Sequence, residues 1–287
     1  MLPPKIIECP RDAMQGIKPF IPTSAKVSYL QFLLQVGFHS LDFGSFVSAR
    51  AVPQMRDTAS VLDQLDLSKT KTKLLAITAN MRGAEIALKF KQIEYIGFPF
   101  SISENFQMRN THKTISESLN SLEKIKDLTV KSSKTLVVYL SMGFGNPYGD
   151  PWSIEVVSQW VERLSKMKIE IISLSDTVGQ AVPGDITYLY STLIPSFPQI
   201  EFGAHFHTLP NRGYEKLIAA FDAGCRRFDG VINGLGGCPM ASDALIGNMP
   251  TEKLVTLFSE RGIHTGLCLT SFESAINKSK KLFSKYL

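Results

Sequence analysis

Leu136-Val-Val-Tyr-Leu140 is a continuous apolar run, and a second run, Ile169-Glu-Ile-Ile-Ser-Leu174, follows it along the chain. Between them, Ile154–Lys166 has the spacing of an amphipathic helix. Strands that are apolar along most of their length are typical of parallel sheets, which are buried on both faces. This stretch therefore predicts one strand–helix–strand unit of an α/β fold.

The same alternation continues on both sides of this unit. Further helical patterns occupy Ser24–Val36, Thr114–Leu128 and Tyr214–Ala223, and Phe272–Tyr286 predicts a terminal helix after the last strand. The predicted strands are Ile6–Cys9, Ser40–Phe43, Leu74–Ile77, Tyr95–Phe98, Leu136–Leu140, Ile169–Leu174, Glu201–His205 and Phe228–Ile232.

Eight strands that alternate with helices predict an α/β fold, a (β/α)8 TIM barrel with an extra C-terminal helix. Such a barrel uses about 250 residues as one domain, so we expect a single catalytic domain over residues 1–287. Thr114 and Glu117 form a capping-box pattern, and Gly224 follows a helical pattern where a C-terminal cap is expected. The alternative, a doubly wound open sheet, would be favoured by a Gly-rich phosphate loop after the first strand, which this sequence does not have.

The composition is that of a soluble globular protein, with 44% hydrophobic and 20% charged residues and a net charge of +5. The densest basic segments, 71–73 and 278–281, have no interleaved aromatic residues, so we expect no nucleic-acid partner. We interpret the positive charge as belonging to solvated helix and loop surfaces. Alternatively, it attracts an anionic substrate. No apolar run approaches the ~18 residues of a membrane span, and the first strand begins too early for a signal peptide.

The four cysteines, Cys9, Cys225, Cys238 and Cys268, show no CxxC spacing, which indicates reduced thiols and a cytoplasmic protein. Cys9, Cys225 and Cys268 fall in strand or helix patterns and are predicted to be small buried hydrophobic residues. Cys238 instead lies in the Gly-rich stretch Asn233-Gly-Leu-Gly-Gly-Cys238 after the last strand. A thiol there could donate a proton or act as a nucleophile, although a flexible loop with an incidental cysteine remains open.

Polar residues follow several strands, at the end where barrel enzymes carry their active sites. His205 and His207 are two residues apart at the end of strand 7, so both imidazoles face the same side. Asp12 after strand 1 and Asn248 after strand 8 could add oxygen ligands. This mixed set suits Mg²⁺ or Mn²⁺, with Zn²⁺ or Co²⁺ also possible.

Two further charged residues lie at the same predicted face. Arg11 offers a planar donor fork for a carboxylate or an enolate, or alternatively forms an ion pair in a surface turn. Asp176 after strand 6 is either a carboxylate of the active site or part of a structural turn.

Together these segments resemble the 3-hydroxy-3-methylglutaryl-CoA lyase family, within the metallolyase superfamily that includes isopropylmalate and homocitrate synthases. The resemblance runs in order from Ile6 to about Gly266, and the Gly234-Leu-Gly-Gly-Cys-Pro239 loop is its most specific element. The other carriers are Pro10-Arg-Asp-Ala-Met-Gln15, Gly44-Ser-Phe-Val-Ser48, Pro53-Gln-Met55, Ser173-Leu-Ser-Asp-Thr177, Ala204-His-Phe-His207, Gly247-Asn248 and Gly262-Ile-His-Thr-Gly266.

The resemblance implies a metal-dependent lyase that cleaves 3-hydroxy-3-methylglutaryl-CoA to acetyl-CoA and acetoacetate, as in leucine degradation. It also implies an acyl-CoA partner and a homodimer. The implied metal ligands are Asp12, His205, His207 and Asn248. The implied catalytic and substrate-binding residues are Arg11 for the enolate and substrate, Gln15 for the substrate, Cys238 for proton transfer, Asp42 and Asp176 as active-site acids, and Asp12 or His205 as the base.

The sequence departs from the family pattern at several positions. Asp42 stands where the family usually has Glu, Thr208 stands where it often has Asp, and the strand-5 end carries Ser141 and Met142 but no cysteine. The segment from Cys238 to Asn248 is one residue longer than in the animal enzymes. The alternatives are a metallolyase for another 3-hydroxyacyl-CoA, a condensing enzyme for acetyl-CoA and a 2-keto acid, and a noncatalytic metal- or acyl-CoA-binding barrel.

Overall fold

A computed structural model describes residues 3–209, 212–237 and 246–287. Eight parallel strands close into a barrel in the order of the sequence, and β1 pairs with β8 to complete the ring. The strands are β1 (Lys5–Glu8), β2 (Ser40–Ser45), β3 (Lys73–Ile77), β4 (Ile93–Ser101), β5 (Thr135–Ser141), β6 (Ile171–Asp176), β7 (Glu201–Phe206) and β8 (Arg227–Gly230). The predicted TIM barrel is confirmed.

Helices surround the strands. Among the described residues they are α1 (Pro10–Gln15), α2 (Thr23–Leu33), α3 (Thr58–Asp63), α4 (Met81–Ala87), α5 (Glu104–Thr111), α6 (Ile115–Lys131), α7 (Ile154–Lys166), α8 (Pro183–Ser196), α9 (Tyr214–Asp222), α10 (Thr251–Glu260) and α11 (Leu269–Phe283). None of these helices combines the length and the apolar character that a membrane crossing requires.

The caps explain several helix boundaries. Thr114 and Glu117 form the predicted capping box, in which each side chain binds the backbone N–H of the other. Gly224 lies just beyond α9 with φ +103°, a conformation that favours glycine. The last strand is shorter than predicted, because Ile232–Gly234 forms a 3₁₀ turn in which Asn233 has φ 64°.

The core has two parts. A large apolar layer fills the space between strands and helices, and a small cluster lies inside the barrel, made of Leu75, Ile77, Tyr95, Val137, Tyr139 and Ile171. A Cβ on Gly97 of β4 would come within 2.4 Å of Ile77, so glycine leaves room for this filling. These side chains therefore fill the centre of the barrel.

The terminal helix α11 packs on α2 and covers one side of the barrel. Edge-to-face ring pairs join Tyr29 to Phe283 at 5.7 Å and Phe38 to Phe272 at 6.2 Å. Cys9 and Cys225 are buried as predicted. The prediction is wrong for Cys268, which is exposed because it precedes the first turn of α11, where Ser271 donates a hydrogen bond to its sulfur.

Candidate active site

A cavity of about 780 Å³ opens at the carboxyl ends of the strands. Its inner wall is polar, and its lining there includes Arg11, Asp12, Gln15, Tyr139, Ser141, Ser175, Thr177, His205 and His207. Because all eight strands are parallel, the residues that follow different strands converge on this one mouth.

His205 is oriented by two carboxylates. Its Nδ1 lies 2.9 Å from an oxygen of Asp229, and its Nε2 lies 3.6 Å from Asp12 Oδ2. Burial alone would lower the pKa of His205, but the hydrogen bond to Asp229 and the charges of Asp229 and Asp12 raise it above its usual value. A proton on Nδ1, donated to Asp229, leaves the Nε2 lone pair directed towards Asp12.

His207 has a different environment. Its ring centre is 5.2 Å from that of His205, and its Nδ1 is 3.4 Å from the carbonyl oxygen of Ile246. Burial and then the neighbouring His205 lower the pKa of His207 to about 4. The ring is therefore neutral near pH 7, which is the form that binds a metal ion.

Asp12 completes a compact cluster. Pro10 occupies the first position of α1, so the short helix begins at once after β1 and turns Asp12 towards the barrel axis. Burial raises the pKa of Asp12, but the charges of Arg11, His205 and His207 outweigh this effect, so the net pKa is below its usual value. One ligand atom from each of Asp12, His205 and His207 lies within 4.8 Å of the others. One carboxylate and two available imidazole nitrogens at this separation fit a divalent cation.

Asn248 lies beside this cluster. Its backbone pairs with that of His207, and its side chain is 3% exposed. Its Nδ2 donates to the Leu235 carbonyl at 2.8 Å, so Oδ1 is the atom that it could offer to a cation. The structure thus brings all four predicted ligand residues to one side of the mouth.

Arg11 lies at the edge of the cavity in a fixed orientation. Its Nη2 and Nε donate to Asp42 Oδ2 at 2.6 and 3.0 Å, and its Nη1 donates to Gln15 at 2.7 Å. Burial raises the pKa of Asp42 to about 6, although the adjacent guanidinium opposes this shift. Gln15 in turn donates its amide to Asp12. Asp42 and Gln15 therefore hold the planar fork of Arg11 beside the cluster.

The Gly-rich loop begins directly over the cluster. Gly236 has φ +83°, and a Cβ at this position would lie 2.4 Å from the carbonyl oxygen of Asp12. Only glycine allows this close approach of the loop backbone to the cluster. The predicted catalytic residue Cys238 lies outside the described residues, so its role stays a prediction.

The side chain of Asp176 lies outside the cavity, unlike that of Asp12. It is 1% exposed and does not line the cavity, and its Oδ2 instead accepts a hydrogen bond from Lys216 at 2.6 Å. Sequence reasoning did not single out Lys216, nor Asp229 behind His205. Asp229 could have been recognised in the sequence as an acidic residue within the apolar pattern of strand 8.

The outer rim of the cavity is basic. It includes Arg50 from the segment after β2, and Arg109, His112 and Lys113 from the end of α5 and the turn after it. A basic rim around a polar floor suits an elongated ligand that carries anionic groups at its outer end.

The fold and the site define a (β/α)8-barrel protein with a candidate divalent-cation cluster at its catalytic face. The chain belongs to the HMGL-like family, whose sequence profile matches residues 5–278. The hydroxymethylglutaryl-CoA lyase of Bacillus subtilis is 33% identical over 93% of this chain and 88% of its own. The (R)-citramalyl-CoA lyase of Chloroflexus aurantiacus is 30% identical over 93% of this chain and 86% of its own.

Solved structures agree with this membership. An HMG-CoA lyase of Acinetobacter baumannii, in complex with coenzyme A and 3-methylmalate, superimposes with a TM-score of 0.90 at 28% identity. The match covers 98% of this chain and 92% of that one. The family resemblance drawn from the sequence motifs is confirmed.

Proposed function

We propose that this protein is a divalent-metal-dependent carbon–carbon lyase that cleaves 3-hydroxy-3-methylglutaryl-CoA to acetyl-CoA and acetoacetate. The observation that carries the proposal is the convergence of Asp12, His205 and His207 within 4.8 Å, beside Arg11, in the mouth of the barrel. The similarity to hydroxymethylglutaryl-CoA lyases over most of the chain supports the same reaction.

Asp12, His205, His207 and Asn248 would hold the cation, for which we propose Mg²⁺ or Mn²⁺. Two of the four donors are oxygens, and substrate oxygens would add more, which favours these harder ions over Zn²⁺ or Co²⁺. When bound, the cation polarises the C3 hydroxyl of the substrate and lowers its pKa.

Asp12 is the base that we assign to the C3 hydroxyl proton. Each imidazole has one ring nitrogen engaged, His205 by Asp229 and His207 by the Ile246 carbonyl, so metal ligation would occupy its other nitrogen. Each oxygen of the Asp12 carboxylate has two lone pairs, so the group could accept the amide of Gln15, ligate the cation and still accept a proton. Its lowered pKa keeps it ionised. Of the two bases that the sequence left open, Asp12 and His205, we therefore propose the carboxylate.

The remaining steps use Arg11 and Cys238. As the C2–C3 bond breaks, C3 becomes the ketone carbon of acetoacetate, and the electron pair moves to the thioester as an enolate. Arg11, held by Asp42 and Gln15, donates to the enolate oxygen. Cys238 then gives a proton to C2 and releases acetyl-CoA. We propose that Asp42 supports Arg11 and does not contact the substrate.

The basic rim would receive the phosphate groups of the coenzyme. Arg50, Arg109 and Lys113 line the cavity, and Arg50 and Arg109 are exposed to solvent. Their charge would attract the polyanionic nucleotide and orient the thioester towards Arg11. The homodimer and the cytoplasmic location stay predictions, and sedimentation velocity of the purified protein tests the first.

The proposal is tested by steady-state cleavage of 3-hydroxy-3-methylglutaryl-CoA with Mg²⁺ or Mn²⁺, and again with EDTA. We expect acetoacetate release that EDTA abolishes and added metal restores. Folded protein that releases none with either metal would overturn the proposal. Because an (R)-citramalyl-CoA lyase is 30% identical, (R)-citramalyl-CoA is the second candidate substrate and belongs in the same assay.

A further inference from the structure

Lys216 of α9 is a buried lysine with a complete set of hydrogen bonds. The residue is 4% exposed. Its Nζ donates to Asp176 Oδ2 at 2.6 Å, to the Gly179 carbonyl at 3.0 Å and to the His207 carbonyl at 3.3 Å. An ammonium group has three N–H donors, so these acceptors satisfy it fully.

The contacts of Lys216 join the ends of two neighbouring strands. Asp176 is the last residue of β6, and its Oδ1 accepts from the Ala181 backbone N–H at 3.1 Å. The backbone N–H of His207 donates to the Asp176 carbonyl at 3.2 Å. The ammonium group of Lys216 therefore holds segment 176–181 and His207, the residue that follows β7, in fixed positions.

The two histidines of the cluster are held in different ways. Asp229 holds the ring of His205 at 2.9 Å, which orients that imidazole directly. Among the described residues, the ring of His207 has one hydrogen-bond contact, a long one of 3.4 Å to the Ile246 carbonyl, besides its edge-to-face contact with the ring of His205. The position of His207 therefore depends mainly on its backbone, and Lys216 binds that backbone on its carbonyl side.

We propose that the buried Lys216–Asp176 pair is a positioning device for His207, which sets the affinity of the cluster for a divalent cation. The inference rests on the proposed function, in which His207 is a metal ligand. Neither Lys216 nor Asp176 lines the cavity, so the pair acts through His207 and not on the substrate.

An alternative is that the pair contributes only to stability. A buried ion pair is weak evidence for stability, since apolar residues of similar size often replace one without loss. Groups that orient metal ligands, by contrast, commonly change metal affinity 10–100-fold when they are removed. Metal affinity therefore separates the two roles.

The test compares Lys216→Met with a matched control, Lys26→Met. Lys26 is also buried, at 2% exposure, and pairs with Asp57 at 2.6 Å, but neither residue lines the cavity. The Kd for Mn²⁺ is measured without substrate, from the electron paramagnetic resonance signal of the free ion. Thermal unfolding of each protein is recorded alongside.

We expect both variants to unfold at lower temperature. Lys216→Met leaves the buried Asp176 carboxylate without its ion pair, and Lys26→Met does the same to the partly buried Asp57. Only Lys216→Met should raise the Kd for Mn²⁺, by about 10-fold or more, while Lys26→Met stays within about twofold of the wild type. Wild-type affinity in Lys216→Met, or an equal loss in both variants, would overturn the inference.

A double variant covers the case in which Lys216→Met does not fold. Asp176→Asn with Lys216→Met removes both charges together and should fold, yet it also lacks the contact to the His207 carbonyl. The same rise in Kd is expected, and wild-type affinity would count against the inference. If the wild-type protein bound no Mn²⁺ and cleaved no substrate, the proposed function itself would have failed, which is a distinct result.

Discussion

The Nδ1 atom of His205 on β7 lies 2.9 Å from the Oδ2 atom of Asp229 on β8. This contact selects the tautomer of His205 that carries its proton on Nδ1 and leaves Nε2 facing Asp12. A carboxylate behind a metal-binding histidine both orients the ring and raises its basicity. The pair joins two strands that the sequence separates by a whole helix.

Replacing Asp229 with Asn should weaken metal binding by about 10–100-fold. A neutral amide oxygen accepts the Nδ1–H of His205 less strongly than a carboxylate, and the amide NH₂ can instead donate to Nδ1 and favour the other tautomer. The metal affinity is measured by titrating the protein with Mn²⁺ and recording the rate of substrate cleavage at each concentration. Asp222→Asn is the control, since Asp222 is on the surface and pairs with Arg261. Wild-type affinity in Asp229→Asn would show that His205 does not depend on this contact.

Replacing Arg11 with Ala should lower turnover by about 10²–10³-fold, the usual effect of removing one preorganised donor to a developing oxyanion. The rate of acetoacetate release at saturating substrate is the measurement. Arg56→Ala is a suitable control, because Arg56 stacks on Phe20 and does not line the cavity. Near-native turnover in Arg11→Ala would remove Arg11 from the mechanism.

Replacing Arg50 with Ala should raise KM for the acyl-CoA several-fold and leave kcat nearly unchanged. Arg50 lies at the rim, where it would contribute to binding in the ground and transition states alike. Added salt should raise the wild-type KM more than that of the variant, since salt screens exposed charges. Lys166→Ala, which removes an exposed lysine paired with Glu162, should change neither quantity. An unchanged KM in Arg50→Ala would exclude Arg50 from coenzyme binding.

Replacing Cys238 with Ser should reduce turnover strongly, because a hydroxyl is a much weaker acid than a thiol. Cys268→Ser is the matched control, since Cys268 is exposed and lies outside the cavity lining. The measurement is the rate of acetoacetate release by each of the two variants. If Cys238→Ser is as active as the control, another group supplies the proton.

Replacing Glu8 with Gln should change how stability depends on pH. Burial raises the pKa of Glu8 from 4.5 to about 8, although hydrogen bonds from Thr251 and Ile232 oppose the shift. Between these two values the unfolded chain has released a proton that the folded protein keeps. The free energy of unfolding therefore falls as pH rises through this window and levels off above about pH 8.

Within this window the free energy of unfolding falls by about 1.4 kcal/mol per pH unit in the wild type. Glutamine cannot release a proton, so this contribution is absent from Glu8→Gln. Urea unfolding at pH 5 and pH 8.5 should therefore show a smaller loss of stability in Glu8→Gln than in the wild type. Glu94→Gln, at the exposed Glu94, should keep the wild-type slope. An unchanged slope in Glu8→Gln would mean that Glu8 is ionised in the folded protein.

Much of the fold could be predicted because barrel strands are buried on both faces and so leave continuous apolar runs. The proximity of the His205 and His207 side chains could also be predicted, since two residues at i and i+2 on a strand face the same side. Asp12 and Arg11 were predicted from their place after β1. By contrast, sequence alone did not distinguish Asp176, which pairs with Lys216, from Asp12, which lines the cavity.

The amino-acid sequence by itself determined the barrel, the face that carries the site and most of the residues that converge there, because these depend on local periodicity and on strand ends. Only the tertiary structure decided which charges are paired. Asp229 with His205, Asp42 with Arg11 and Lys216 with Asp176 each join residues from different strands or helices. Such contacts depend on how the barrel closes and on which side chains lose water, and neither leaves a local pattern in the chain.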